Sequence, residues 1–229
     1  KHAEIEVPNL DFSGWYDHCA SMGHLRGMQE NAGTELARTQ TKLVLGPWNH
    51  GGLGKRQIGD VDFGPQAEID MDGMKIQWFD RWLKGISNGV EQWPACRYFV
   101  MGSAKWKSAD TWPPPGLGER TLYLGSDGRA GPIEHAGTLS EGEPRADTAD
   151  GYTYDPRDPV PTLWTRAFFT VPPDRRRLEY RRDILYYRTE PLETDVEIAG
   201  YPKVVLYASS SAPDTDFFAR LVDDDPDGM

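Results

Sequence analysis

The sequence predicts an α/β region followed by an all-β region. Over about the first ninety residues a strand, a helix and a second strand alternate, and a polar residue follows each strand, as in α/β folds. Beyond that point the helical periodicity stops, and short apolar runs alternate with turn clusters rich in Pro, Gly and Asp. The 24 Gly and 18 Pro agree with many turns, while an aromatic content of 11% argues against disorder.

Three elements open the α/β region. Residues 7–13 form a predicted strand that ends at Gly14, where the chain can turn sharply. Residues 18–38 are compatible with a helix, because apolar residues recur at helical spacing and no proline interrupts them. Residues 42–46 form a compact apolar strand, which Pro47 is expected to stop.

A second helix is predicted from about Asp72 to Gly85, a residue type that suits the position just after a helix end. A glycine-rich loop, residues 51–64, precedes it. The apolar side chains of this helix form one wide stripe, which we expect to pack in the core. They are Met74, Trp78, Phe79, Trp82 and Leu83.

The all-β region carries five predicted strands, at residues 96–101, 121–124, 183–188, 203–208 and 216–222. Short strands with long loops between them indicate a β-sandwich or jelly roll. A turn signal with no strand after it ends the sequence, and a single opening strand cannot found a parallel sheet, so both sheets are expected to be incomplete. The predicted domains are residues 1–90 and 91–229.

Composition excludes whole classes of function. With 25 basic and 36 acidic residues the net charge is −11, which is the opposite of the positive surface that nucleic-acid binding needs. The mean hydropathy is −0.63, and no run approaches the roughly 18 apolar residues of a membrane helix. No secretory signal opens the chain, so a cytoplasmic location is expected. Cys19 and Cys96 lie in no ligand or disulfide pattern and predict buried thiols.

Asp17 and His50 are the candidate catalytic residues. Each follows one of the two opening strands, in the order acid then base that α/β-hydrolases use on loops after late strands. His50 Nε2 would serve as general base, and Asp17 would accept the Nδ1 proton and hold the tautomer. A structural interpretation also exists for each, as a helix cap for Asp17 and as a hydrogen-bonded loop residue for His50.

The nucleophile is not predicted to lie in this chain. The pattern G-x-S-x-G occurs once, at residues 85–89, with Ser87 at its centre. A nucleophile elbow joins a strand to the helix after it, whereas this pattern follows a helix. It would also produce the order Asp, His, Ser, which is foreign to that fold. Ser87 is therefore expected to be a polar turn residue.

No metal site and no cofactor are predicted. Two acidic segments, residues 60–62 and 223–228, contain the oxygen ligands that calcium prefers, but neither has EF-hand spacing and charged turns are usually solvated. His18 and His24 are six residues apart, on different helix faces, and do not form a ligand pair.

Several longer motifs resemble the X-prolyl dipeptidyl peptidase and cocaine esterase family, also called CocE/NonD hydrolases or acyl esterases. GWYD resembles the acid motif of that family and GPWNH its base motif, and several of the motifs are long enough to be specific. The resemblance covers nearly the whole chain, through residues 14–17, 46–50, 78–85, 98–102 with Trp106, 112–114, 154–156, 158–162 and 206–216.

The resemblance implies the C-terminal part of an α/β-hydrolase domain followed by a jelly-roll domain of galactose-binding type. It implies serine hydrolase chemistry with Asp17 as triad acid and His50 as triad base, while the nucleophile and oxyanion segments would lie upstream. The residue two positions after the acid commonly faces the acyl pocket and is aromatic in relatives. Cys19 stands there, so a smaller and softer pocket wall is expected. Residues 162–178 diverge from the glycine-containing segment usual in the family.

Two functional hypotheses follow. The first is part of a serine acyl hydrolase, inactive alone, whose partners are a small ester, an amide or a short X-Pro peptide, with a homo-oligomer allowed. The second is a β-sandwich that binds a carbohydrate or a protein, joined to an inactive hydrolase remnant. In the second, Trp106 and Trp112 would stack on sugars, although packing against proline-rich loops also explains them.

Overall fold

The computed structural model describes residues 1–17, 20–59, 61–144, 148–163 and 175–224 of the 229 residues. The described chain divides into two units. The first holds Lys1–Glu119 with Val196–Ala199 and the described part of Thr162–Pro173. The second holds the described residues of Arg120–Pro161, Asp174–Asp195 and Gly200–Met229. None of the described helices has the length and apolarity needed to cross a lipid bilayer.

A mixed four-stranded sheet organises the first unit. The four strands of this sheet are β1 (Leu10–Tyr16), β2 (Lys42–Asn49), β5 (Cys96–Val100) and β6 (Lys105–Ala109). The other two strands of this unit, β3 (Gln57–Ile58) and β4 (Val61–Asp62), form a small separate hairpin. The sheet order is β1-β2-β5-β6, with β1, β2 and β5 parallel and β6 antiparallel to β5. The crossover between β1 and β2 is helical, as parallel pairing requires.

The β1 to β2 crossover contains two helices, α1 (Ala20–Asn31) and α2 (Glu35–Gln40), instead of one continuous helix across residues 18–38. The break lies at Gly33, whose amide donates to Ile5 O at 2.8 Å instead of continuing the helix. Thr34 then caps α2, because its hydroxyl accepts from the Ala37 amide at 3.1 Å. Contacts with the N-terminal segment therefore end the first helix.

Both predicted opening strands run farther than expected. β1 passes through Gly14 to Tyr16, and β2 passes through Pro47 to Asn49. Pro47 is tolerated because the β2–β5 ladder ends at Leu45, so no neighbour on that side needs its missing amide hydrogen. Asp17 and His50 consequently follow their strands directly.

The core of the first unit lies on both faces of β2, every residue of which is buried. Leu43 and Leu45 pack with Leu25 of α1 in one cluster, and Val44 packs with Trp48 in another. Burial on both faces is the expected environment of a central parallel strand.

The third helix, α3 (Met71–Lys84), begins at Asp70, whose side chain accepts from the Gly73 amide at 2.8 Å. It ends at Gly85, which has a φ of 73°, as predicted. The prediction of a fully buried stripe is wrong for two of its five residues. Trp78 is 5% exposed, but Leu83 is 76% exposed and Phe79 is also exposed. Since the stripe is wider than the surface that covers it, only its Trp78 side is buried.

The second unit contains one three-stranded sheet in its described residues, with the strands β7 (Tyr123–Gly125), β8 (Gly137–Ser140) and β9 (Tyr187–Arg188) in that order. The predicted strands at residues 203–208 and 216–222 do not form, and both segments are exposed throughout. A strand needs a neighbour to satisfy its backbone, and no described segment pairs with them. The described part of this unit therefore shows one small sheet, without a second packed sheet.

The composition of the chain changes at about residue 90, but the sheet of the first unit continues past that point. β5 and β6 follow it, yet β5 pairs with β2 and β6 pairs with β5, so both strands belong to the sheet of the first unit. The two units separate between Glu119 and Arg120.

Candidate active site

The carboxyl ends of β1 and β2 define the candidate site. The two strands pair in register from Leu10 with Lys42 to Gly14 with Gly46, and then Tyr16 pairs with Asn49. β2 thus holds one extra residue there, which is a bulge. Because of this bulge, the residues that follow the two strands, Asp17 and His50, emerge side by side.

Asp17 and His50 form a hydrogen-bonded pair in the structure. His50 Nδ1 lies 3.2 Å from Asp17 Oδ2, close enough for the ring to donate to the carboxylate. The Asp17 side chain is 12% exposed and the His50 side chain is 54% exposed. The Asp17 amide also donates to Gly14 O at 3.0 Å, which closes the turn after β1. The carboxylate is held and sheltered, while the ring reaches toward solvent.

A tryptophan anchors each strand end. Trp15 Nε1 donates to Phe99 O at 2.7 Å, and Trp48 Nε1 donates to Ala67 O at 3.0 Å. Trp15 packs beside the cluster of Leu43 and Leu45, whereas Trp48 is a member of the cluster on the other face of the sheet. The two rings therefore hold the acid and base motifs from opposite sides. Sequence reasoning missed this positioning role, although both tryptophans belong to the acid and base motifs.

Gly14 brings the two strand ends close together. A Cβ atom at this position would lie 2.0 Å from Trp48 O, a backbone atom that cannot rotate away. Only glycine permits this approach. Tyr16, two residues on, is half-buried, and burial raises the pKa of its phenol.

Of the other residues considered for a site, some lie in the described part of the chain and some do not. Cys19 and His18 lie outside the described residues. Ser87 is exposed in the turn after α3, so the G-x-S-x-G pattern follows a helix, as expected, and is not a strand-to-helix elbow. Cys96 is fully buried, and burial raises the pKa of its thiol to about 12, which fits an inert core thiol.

The acidic segments show no metal-binding arrangement in the described residues, where no cluster of three or more His, Cys, Asp or Glu side chains could hold an ion. Asp62 instead pairs with Arg56, whose Nε lies 3.0 Å from its Oδ1. Asp224 pairs with Arg188. Asp60 and residues 225–228 are outside the described part.

The two tryptophans of the binding-module hypothesis are packed against protein. Trp112 is 2% exposed and lies against Trp15 and Tyr98. Trp106 is half-buried, with the Arg97 guanidinium 4.6 Å from its ring centre. Trp112 has no exposed face on which a sugar could stack, and Trp106 packs against Trp48 and Phe99, so packing explains the placement of both rings.

Comparison with known proteins adds independent information. Residues 88–229 match the family described as the X-Pro dipeptidyl-peptidase C-terminal non-catalytic domain. The chain is 37% identical to the cocaine esterase of Rhodococcus sp. (strain MB1 Bresler) over 98% of its own length, which is 39% of that esterase. It is also similar to the crystal structure of an aminopeptidase from a marine sediment Thaumarchaeota archaeon, with a TM-score of 0.62 and 26% identity. That likeness covers 82% of this chain and 31% of the aminopeptidase.

These matches agree with the resemblance seen in the sequence motifs. The domain match covers more than half of the chain and begins after both Asp17 and His50. The esterase similarity extends across both regions, and the relatives named here are hydrolases of esters or peptides. The chain spans about two fifths of the esterase. The chain therefore belongs to the X-Pro dipeptidyl peptidase and cocaine esterase-like (CocE/NonD) family of acyl hydrolases.

Proposed function

We propose that this chain supplies the acid and the base of a serine acyl hydrolase, with the nucleophilic serine on a segment outside residues 1–229. The observation that carries the proposal is the 3.2 Å contact between His50 Nδ1 and Asp17 Oδ2 at the ends of adjacent parallel strands. An Asp–His pair in this position is the half of a triad that activates a hydroxyl nucleophile.

The proton path follows from the tautomer. With Nδ1–H donated to Asp17, the basic nitrogen of His50 is Nε2, which takes the proton of the serine hydroxyl as it attacks the substrate carbonyl. The imidazolium that forms is stabilised by the Asp17 carboxylate. Nε2 then protonates the leaving alcohol or amine, an acyl-enzyme remains, and His50 activates the water that releases it. Asp17 keeps its negative charge throughout.

The proposed substrate is a small ester, an amide or an X-Pro peptide, since the matched relatives are an esterase, an aminopeptidase and the X-Pro dipeptidyl-peptidase domain family. The residues that follow the acid and base segment are proposed to form a non-catalytic jelly-roll domain. The domain match at residues 88–229 supports this assignment. The nucleophile, the oxyanion donors and most of the pocket wall would come from other segments.

The test is hydrolysis of p-nitrophenyl esters by the full-length protein. We expect D17N to lower kcat by about 10⁴, because the wrong tautomer of His50 is then favoured, and H50A to lower it at least as much. H135A is the matched control, since His135 is an exposed residue of the second unit, and its kcat should stay within about twofold of the parent value. Equal rates for H50A and the parent protein would exclude the proposed base.

A further inference from the structure

A second polar cluster lies where β1 begins and α1 passes over the N-terminal segment, and the hydrolase chemistry does not use it. Its members are His2, Asn9, Asp11 and His24. We propose that His2 and His24 bind one divalent transition-metal ion of the zinc type, with Asp11 and Asn9 positioning the His24 ring.

The two ring nitrogens have the separation of metal ligands. His2 Nε2 lies 3.2 Å from His24 Nδ1, with the ring centres 5.2 Å apart and the planes tilted by 42°. Two nitrogens bound at 2.0–2.1 Å to one tetrahedral zinc ion are about 3.3 Å apart. The metal-free rings share a proton across the same distance as a hydrogen bond. An ion can therefore replace that proton without a change in the separation of the two nitrogens.

The other side of the His24 ring is arranged as in zinc proteins. Asn9 Nδ2 lies 2.8 Å from His24 Nε2, and Asp11 Oδ2 lies 3.7 Å from the same nitrogen. When a metal takes Nδ1, Nε2 carries the ring proton and points it at these two groups. The Asn9 amide satisfies that proton by turning so that its oxygen faces the ring. Carboxylates and amides in this position fix the tautomer of a metal-bound histidine and raise its basicity.

The environment of Asp11 also favours an ion at this site, independently of the distance between the two histidine nitrogens. Its Oδ2 is buried and accepts no hydrogen bond from any described residue. A lone pair on His24 Nε2 would face this oxygen unfavourably. Metal binding at Nδ1 replaces the lone pair with a proton, so the ion and the buried carboxylate stabilise each other.

His2 is held in place for this role. A Cβ atom at Gly27 would lie 2.3 Å from His2 Cε1, so the absence of a side chain on this turn of α1 lets the ring rest on the helix. Among described residues no third His, Cys, Asp or Glu completes a ligand set, so water fills the other positions. Two imidazoles and water favour zinc, nickel or copper over calcium or magnesium. They also predict exchangeable binding, weaker than that of a closed structural site.

The test is calorimetric titration of the 229-residue chain with Zn²⁺ in a phosphate-free buffer. We expect one ion per chain, with affinity lowered at least about tenfold in H2Q and in H24Q, and about tenfold in D11N. H135Q removes an exposed histidine elsewhere and should bind as the parent does. Unchanged affinity in both H2Q and H24Q would mean adventitious binding to acidic surface groups and would overturn the site.

Imidazole ¹⁵N NMR provides a readout that does not depend on affinity. Added Zn²⁺ should shift the resonances of His2 Nε2 and His24 Nδ1 and leave His24 Nε2 protonated. A shift at His24 Nε2 instead, or no shift at either ring, would contradict the arrangement. Circular dichroism of each variant checks that the chain has folded, and loss of zinc binding counts only for variants with the parent spectrum.

Discussion

Replacing Gly14 with alanine tests whether the close approach of β1 and β2 builds the candidate site. The added Cβ would lie 2.0 Å from Trp48 O and 2.5 Å from the Trp48 carbonyl carbon, so the two strand ends must separate. Overpacking of this kind costs about 3 kcal/mol when no side chain can move aside. Alanine also makes the unfolded chain less flexible, which offsets about 0.7 kcal/mol. The first unit should therefore lose about 2 kcal/mol of unfolding free energy.

Urea unfolding followed by tryptophan fluorescence measures this loss, because seven of the eight tryptophans lie between residues 15 and 112. With a slope of about 2 kcal/mol per molar urea, G14A should shift the midpoint down by about 1 M. Gly23 of α1 is the matched control, since a Cβ there would meet nothing within 4 Å. G23A should raise the midpoint by about 0.5 M, through the better helix propensity of alanine. A G14A midpoint at or above the parent value would refute the argument.

Two further predictions concern one ionisable group in each unit. Burial opposes ionisation of Asp150, but hydrogen bonds from Ser126, Tyr187 and the Ala130 amide outweigh it and lower its pKa. Its contribution is therefore present above about pH 4 and is lost as the pH falls through the lowered value. D150N should cost about 1–2 kcal/mol at pH 7, and less below about pH 4, measured as the loss of exchange protection of the Ala130 amide relative to the parent protein. An equal loss of protection at both pH values would contradict this. Cys96, whose pKa is about 12, should resist thiol reagents at pH 8 until urea unfolds the chain, and rapid labelling of the folded protein at this position would contradict its burial.

The sequence predicted the strands of the candidate site better than it predicted their ends. Gly14 and Pro47 are residues that usually stop a strand, and both lie inside one here. Their tolerance depends on neighbours: the Trp48 backbone lies against Gly14, and the β5 ladder ends before Pro47. Such neighbours come from other segments of the chain, so local pattern could not reveal them.

The later part of the chain shows the same limit. Residues 203–208 and 216–222 have strand-like composition, yet they form no strand in the described structure. Composition indicates that a segment can be extended, whereas pairing requires a neighbour with free backbone groups. The missed strands β6 and β8 illustrate the converse, since their exposed, polar residues pair because β5 and β7 lie beside them.

The sequence by itself determined the opening strand–helix–strand order, the family and the identity of the candidate acid and base, because these depend on residue type and spacing. Only the tertiary structure decided that Asp17 and His50 meet at 3.2 Å, and that His2 and His24, twenty-two residues apart, share one cluster. The physical reason is the same for both pairs. Strand register, a one-residue bulge and helix placement are set by hydrogen bonds and packing between distant segments, which periodicity along one segment does not encode.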